Sequence, residues 1–440
     1  MLTLISGRKK SASWPFSTSW DRPMMALSSL TSDTMSVITS FLKVGSILSL
    51  GATSKTMHSI VTGAVLWEDL CIRDFRINPH SFPRTATGWL QLYKNMKAPI
   101  VLTWGENGNG RLRQPDQPSW GRVRSPTPID TTDIGPIAAM ACTGWGMHAL
   151  NQKGDVWFWG ALDEYSIQTT GSRVPLPEPC RSICGGRSYG CALGDSGAAY
   201  VWTSARNAYS AAKFTVQVTN CTPTEDCRHV KAKAIAAGWS HVALLLADGS
   251  IKTCHVETIH SIAQTKAFSI ASDPRDPIDR LVAGCDFTVA LSKRGLVYLW
   301  HEIGQPPTSE SLHFDTNDKL GLHGARFSHM SARLHHLALV DGATGRLRMF
   351  DLNRGREITS TWMDSTREIA KVSHGDWHGG ALLTNGQVWT WGNGSCALGL
   401  GTETQRQVDE PQQIHRGLEG LFVFDIAFGG WHSAALAFRI

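Results

Sequence analysis

The chain has 440 residues, 42% of them hydrophobic and 42 of them glycine, enough to bury more than one core. Lys and Arg number 42 against 37 Asp and Glu, a net charge of +5, and the longest basic run is Arg8-Lys9-Lys10, which argues against a dominant nucleic-acid footprint. No apolar stretch approaches the ~20 residues of a membrane span, and the 10 cysteines lack the close paired spacing of structural zinc, so packed thiols in a reducing compartment are expected.

Residues 1–23 carry Ser, Trp and basic side chains with no acid before Asp21. They are expected to be a disordered leader; a transit peptide is the competing reading, with Met24 or Met25 as a candidate start. From there to residue 75 the apolar period is helical. Val37, Ile38, Phe41 and Leu42 follow a Ser32-Asp33 start signal, and Gly45-Ser46 is expected to break the run. Ile47, Leu50, Ser54, Met57 and Val61 form a second run ending near Gly63, and Leu66, Trp67, Leu70 and Cys71 a third that stops around Phe75. Residues 76–99 read as a helical linker, with Trp89, Leu92, Tyr93 and Met96 on one face. So small an α-helical core is marginal without a partner or neighbouring domain to cover it.

Residues 100–440 follow a different grammar, a self-similar unit of roughly 40–50 residues that must bury its apolar face on its neighbours. Each copy has a small anchor residue, at Gly144, Gly186, Gly238, Gly284, Ala332, Gly375 and Gly429, leading into a short apolar strand. Turn pairs follow, at Lys153-Gly154, Ser196-Gly197, Asp248-Gly249, Arg294-Gly295, Thr344-Gly345 and Asn385-Gly386, because tight hairpins need the positive φ that glycine supplies. A closing strand ends each unit, clearest in Val156-Trp157-Phe158-Trp159-Gly160 and Val388-Trp389-Thr390-Trp391-Gly392, with weaker versions ending at Trp202, Cys254, Trp300 and Phe350. The last anchor, Gly429, is not followed by a closing strand, whereas Ile100-Val101-Leu102-Thr103-Trp104-Gly105 is a closing strand with no anchor before it. Pairing the two gives a closed seven-bladed β-propeller with its terminal edges protected.

In the last full unit, Trp391-Gly392-Asn393-Gly394, Leu398-Gly399-Leu400-Gly401, Pro411 and Ile426 through Leu436 resemble the regulator of chromosome condensation repeat family. Blades three to five match that pattern poorly: Thr253-Cys254 replaces Trp-Gly and Phe287 replaces the anchor His. The segment before the propeller resembles an F-box. Leu27-Ser28-Ser29-Leu30, Asp33, Ile38, Phe41-Leu42, Leu48, Leu50, Ser54-Lys55, Leu66-Trp67-Glu68-Asp69-Leu70 and Arg73-Asp74-Phe75 follow that order over residues 26–75, and Thr31 stands where the family usually has Pro. The fold implied is thus a small all-α F-box bundle (24–75) followed by an all-β seven-bladed propeller, the two-part design of fungal SCF-associated factors. The resemblance implies that Leu27, Leu30, Ile38, Phe41, Leu42, Leu50, Ser54, Lys55, Trp67 and Leu70 contact the Skp-family linker of an SCF complex with cullin, while the propeller binds a target protein.

The recurring His241, His335, His378 and His432 invite a metal or acid–base reading. Met147, Tyr189 and Phe287 occupy the same position without a ligand nitrogen, so a structural role is expected. The closing-strand Trp residues are expected to pack between blades instead of stacking on bases or sugars. There is no phosphate loop, nucleophile elbow or paired-His helix, so a non-catalytic adaptor with neither metal nor cofactor is expected, in the cytoplasm or nucleus, with nucleic acid and membrane disfavoured. A guanine nucleotide exchange factor or chromatin-binding propeller is the alternative, and the bundle in place of a basic tail argues against it. The longest connections, 105–143, 203–237 and 392–428, should carry specificity. The first and last meet at the closure seam, which makes Arg111, Arg113, Asp116, Glu403, Arg406, Asp409 and Glu410 the candidate target-binding residues.

Overall fold

The computed structural model describes residues 34, 37–39, 41–77, 88–116, 118, 121–163, 167–204, 216–220, 224–225, 228–259, 266–270, 274–301, 303, 320, 322, 324–358, 368–393, 395–401 and 407–440. The chain divides into two compact units, Met1–Leu66 and Trp67–Ile440. In the first unit, helices α1 (Val44–Gly51) and α2 (Lys55–Val61) pack together. The break expected at Gly45-Ser46 lies earlier, at 41–43, and the second run is itself divided at 52–54, where Ser54 caps α2: its Oγ accepts from the Met57 amide at 3.1 Å. Gly51 makes the close approach possible, since a Cβ there would sit 3.1 Å from Val61 Cγ1. Helix α3 (Ala64–Phe75) runs across the division, and α4 (Gly88–Asn95) lies in the second unit. Trp67 packs edge-on against Tyr93 at 5.1 Å, Phe75 lies 4.7 Å from the same ring, and Tyr93 Oη donates to Asp74 at 2.5 Å.

The propeller has seven blades, with a further two-stranded ribbon of Thr224–Glu225 and Arg228–His229 among the described residues, and we number the blades from the first that is continuous in sequence. Blade 1 is Ile137–Cys142, Trp145–Asn151, Val156–Ala161 and Ile167–Arg173; blade 2 is Cys180–Gly185, Tyr189–Gly194, Ala199–Ser204 and Val216–Asn220. Blades 3 (Ala232–Ala237, His241–Leu246, Ile251–His255) and 4 (Ile278–Ala283, Thr288–Ser292, Val297–Trp300) have three strands among the described residues. Blade 5 is Phe327–Arg333, His336–Asp341, Leu347–Asp351 and Arg356–Ile358; blade 6 is Ile369–His374, His378–Leu383, Val388–Asn393 and Gln407–Gln413. Blade 7 is assembled from both ends of the propeller: Leu421–Phe428 and His432–Arg439 are completed by Ile100–Glu106 and Arg122–Ile129. Val101 pairs with Leu436 and Gly105 with His432, which is the closure expected from the unpaired closing strand.

The cores lie between blades. Leu193 and Val201 of blade 2 meet Val242 and Leu244 of blade 3, and Leu337 and Phe350 of blade 5 meet Val289 and Leu299 of blade 4. The closing-strand tryptophans Trp104, Trp159, Trp202 and Trp300 are fully buried in this packing. The glycine after three of the tryptophans has a backbone reason. Gly105, Gly160 and Gly392 have φ of 112°, 97° and 113°, and a Cβ on Gly105 would lie 2.4 Å from the Trp431 carbonyl oxygen. Each of the three sits at a register shift against the outermost strand. The expected turn glycines 154, 197, 249, 295, 345 and 386 all have positive φ. A second irregularity recurs in all seven innermost strands, each of which slips register by one residue near its start, at Ala138, Arg181, Lys233, Asp279, Ser328, Ala370 and Phe424.

Trp104 donates its indole N–H to the Ala397 carbonyl of blade 6 at 2.8 Å and packs on Phe428, so it fastens the closing strand to two neighbours. Trp104→Ala is expected to destabilise the propeller by about 3–5 kcal/mol in urea unfolding. A loss below about 1 kcal/mol would show that this strand does not hold the ring.

Candidate functional site

The seven innermost strands line a central channel of about 270 Å³. At one end the turns joining each innermost strand to the next converge. The residue that receives the anchor amide defines the repeat position: the amides of Gly186, Gly238, Gly284, Gly375 and Gly429 donate to the carbonyls of Tyr189, His241, Phe287, His378 and His432. In blade 1 this pair is Thr143 and Gly146, and in blade 5 the register pairs Arg333 with His336. Gly144 and Ala332 are therefore not the anchors, nor are Met147 and His335 the repeat residues; each lies one position away. The substitutions hid the phase. Thr143 Oγ1 accepts from the Gly146 amide at 3.0 Å, and Arg333 uses its side chain across the channel.

Four of the ring residues hydrogen-bond into the following blade. His241 Nε2 meets Thr288 Oγ1 at 3.0 Å, His378 Nε2 meets Ser433 Oγ at 2.7 Å, His432 Nε2 meets the Gly146 carbonyl at 3.1 Å, and Tyr189 Oη donates to the His241 carbonyl at 2.5 Å. Burial pushes His241 and His378 down to about 4, and His432 well below its ordinary value. His148, donated to by the Trp202 indole, and His374 on the channel wall are likewise pushed down by burial to about 3. His241, His378 and His432 are thus neutral braces, as their recurrence at one structural position implied. Among the described residues no group of three or more His, Cys, Asp or Glu is arranged to hold a metal.

The same end of the channel is spanned by Asp376 of blade 6, almost fully buried. Arg333 of blade 5 donates Nε to its Oδ1 at 2.7 Å and Nη1 to the Gly185 carbonyl at 3.0 Å, and Arg187 of blade 2 donates to Oδ2. Arg187 lies between Trp145 and Trp239, 4.0 Å and 4.6 Å from the ring centroids, and Trp377 stacks on Trp431 at 5.7 Å. The buried carboxylate thus ties together blades that do not adjoin. Its two partners, Arg333 and Arg187, lie far from it in sequence, so no local motif announces it.

The closure seam holds a cavity of about 660 Å³ lined by Arg113 and Asp116 with Asp130 and Asp133. Arg113 has φ 51°, pairs with Asp133 at 2.6 Å and lies over Trp159. The first and last long connections do meet, since the Gly401 amide donates to the Arg124 carbonyl at 2.9 Å, but the cavity is lined from the first connection and blade 1 alone. Arg111 is different from the rest of the set: it is buried, donates Nε to the Gly108 carbonyl and accepts from the Trp159 indole through its own carbonyl. That burial removes Arg111 from a surface that a partner could reach. Asp409 and Glu410 are exposed on the outermost strand of blade 6, and Glu403 and Arg406 lie outside the described residues.

In the first unit the apolar side chains of Phe41, Val65, Val37 and Leu48 are 84%, 65%, 59% and 51% exposed, and Ile38 is also exposed. Leu42 and Leu50 are half-buried, Lys55 is exposed and Ser54 is the cap of α2, while Leu27 and Leu30 lie outside the described residues. Trp67 and Leu70 are buried, Trp67 against Tyr93, and are withdrawn from any partner surface. Cys71, Cys142 and Cys180 are buried thiols pushed up to about 12 by burial, hence unreactive.

Residues 385–436 match the Regulator of chromosome condensation (RCC1) repeat. Human Regulator of chromosome condensation is 23% identical over 348 residues, covering 66% of this chain and 80% of that protein, and the Xenopus laevis protein is 24% identical over 392 residues, covering 76% and 89%. Human Probable E3 ubiquitin-protein ligase HERC3 is 47% identical over 70 residues, 16% of this chain and 6% of that protein. Among solved structures, Prp20p from Saccharomyces cerevisiae superposes with a TM-score of 0.61 at 15% identity, covering 83% of this chain and 94% of that one. Human WBSCR16 does so with 0.58 at 16%, covering 78% and 100%. The second unit contains a seven-bladed propeller that shares its fold with these structures and matches the RCC1 repeat over residues 385–436. Among the described residues no helix is long and apolar enough to cross a membrane.

The depressed histidines give a pH dependence whose sign is fixed. They stay neutral in the fold while their unfolded counterparts take protons below pH ~6.5. Their contribution is intact above pH 6.5 and declines as pH falls towards 4. Between pH 6.5 and 5, stability should fall by up to about 1.4 kcal/mol per pH unit per histidine, and His378→Asn should shallow that slope. Urea unfolding at pH 7.5, 6 and 5 measures it; an unchanged slope would contradict neutral burial of His378.

Proposed function

We propose that this chain is the substrate-recognition subunit of an SCF-type ubiquitin-protein ligase, a non-catalytic adaptor acting in the cytoplasm or nucleus. The N-terminal helices hold the Skp-family linker that joins the cullin, and the propeller holds the target protein. The observation that carries the reading is the exposed apolar set Val37, Ile38, Phe41, Leu48 and Val65, on a helical unit whose sequence follows the F-box order. Burying a side chain such as Phe41 on a partner is worth about 1.5–3 kcal/mol, so a few of them supply a stable joint. Trp67 and Leu70 contribute to the joint only by holding α3 in place.

On the target side, the seam around Arg113 and Asp116, with Asp409 and Glu410 exposed on the outer strand of blade 6, offers polar surface of mixed charge for a protein partner. A second reading, a guanine nucleotide exchange factor or chromatin-binding propeller, is favoured by the length over which the Regulator of chromosome condensation relatives align. The Prp20p structure is described together with binding to Gsp1p and histones, which belongs to that protein.

The two readings separate in one preparation. Phe41→Ser with Leu48→Ser, both surface changes, should reduce co-purification of the Skp-family linker at least tenfold and leave the propeller's melting unchanged. Linker recovery at the wild-type level would overturn the receptor reading. Accelerated GDP release from a small GTPase by the purified chain would favour the second.

A further inference from the structure

We infer that the channel mouth opposite the anchor turns is a binding groove for an extended acidic peptide with alternating apolar residues. The groove has a volume of about 700 Å³ and lies where the innermost strands of blades 2–4 begin, flanked by the C-terminal end of α3. Its floor is apolar, formed by Ile183, Ile235, Leu281 and Met330, with Ile72 and Ile77 at the side. Five cations line it, namely Arg73, Arg76, Arg181, Lys233 and Arg280, against the carboxylates of Asp195 and Asp279.

Three of these cations are already matched. Arg73 pairs with Asp74 at 2.5 Å, Arg76 with Asp195 at 2.7 Å, and Arg280 with Asp279 at 3.3 Å. Arg181 and Lys233 make no ion pair among the described residues, and both are exposed. They occupy the same position in adjacent blades, the residue at which the innermost strand slips register, so two positive charges stand side by side over the apolar floor. Arg181 is held there by the next blade: its Nη2 donates to the carbonyls of Ala232 at 2.8 Å and Lys233 at 3.4 Å. Carbonyls fix the guanidinium without neutralising it, leaving its remaining donors for a carboxylate. Asp248, the carboxylate whose charge Lys233 stabilises, is already engaged by the Ser250 amide and hydroxyl at 2.8 Å and 2.7 Å.

The combination favours a peptide over a nucleic acid. A polynucleotide would leave the isoleucine, leucine and methionine floor unused, whereas an extended peptide presents acidic and apolar side chains to opposite sides with a period of two. The contacts that fix Arg76 also make the wall rigid, since its Nη1 donates to the Cys180 carbonyl at 3.0 Å and its Nε to the Gln152 carbonyl at 3.3 Å.

The site is independent of linker binding and is tested on the purified full-length chain. Fluorescence anisotropy is read with a fluorescein-labelled peptide alternating Glu and Leu, its Lys/Leu counterpart, and a single-stranded oligonucleotide of equal charge. The acidic peptide should bind tightest, and Lys233→Glu should weaken it at least tenfold. The Lys233 side chain makes no hydrogen bond among the described residues, and its carbonyl survives the substitution, so this variant folds where Arg181→Glu, which loses the brace, could fail. Arg181→Gln should weaken binding as well, and Phe41→Ser should not. Absence of acidic-peptide binding, unchanged affinity in Lys233→Glu, or tighter binding of the oligonucleotide or the Lys/Leu peptide overturns the assignment.

Discussion

Everything in the second unit depends on one antiparallel pairing, Ile100–Glu106 against His432–Arg439. Because the cores lie between blades, an open row of seven sheets would leave two apolar faces uncovered and two strand edges unpaired. Joining the last blade to the first removes both costs at once. The cavity in the middle follows from that geometry, as does the convergence of the anchor turns at one end of it.

Convergence in turn creates a problem of polar satisfaction. Turn amides and carbonyls from several blades are buried together, and each needs a partner. Successive turns partly supply one another, as where the Trp239 amide donates to Gly284 and the Asp376 amide to Gly429. The neutral histidines and Tyr189 supply the rest of the links between neighbours. Between blades 5 and 6, Arg333 to Asp376 takes over the side-chain role and extends it across the channel to Arg187. An ion pair so buried is costly to desolvate and costlier still to break, which makes it a specifier of ring geometry more than a source of net stability.

Legibility in the sequence followed the range of the physics. Anchor glycines, turn glycines and Trp-Gly pairs answer to local backbone constraints, so the blade count and the closure strand could be read before any coordinates. The phase was misread at Gly144 and Ala332, where Thr143 and Arg333 do by side chain what glycine does by absence of one. The first run was ended at Gly45-Ser46, inside α1, and residues 47–61 were read as one run, because a glycine is a louder signal than the cap at Ser54 that divides it. Arg111 looked like a loop cation, but burial follows from its carbonyl partner Trp159, 48 residues away. Trp67 was read as a partner-facing anchor for the same reason: its fate is set by Tyr93, which lies beyond the segment whose pattern was being matched. The register slips that put Arg181 and Lys233 at the channel mouth have no composition of their own and emerge only from pairing.

The central claim is that the ring is one cooperative body closed by its first strand. Native-state hydrogen exchange on the full-length chain tests it directly, comparing amides of residues 101–105 with those of 433–437. The account predicts that both segments exchange with the same opening free energy, equal to that of global unfolding from urea titration. Exchange of 101–105 at a distinctly lower free energy, with 433–437 still protected, would mean that the strand is an appendage and that the seam, with the surface built on it, is not closed.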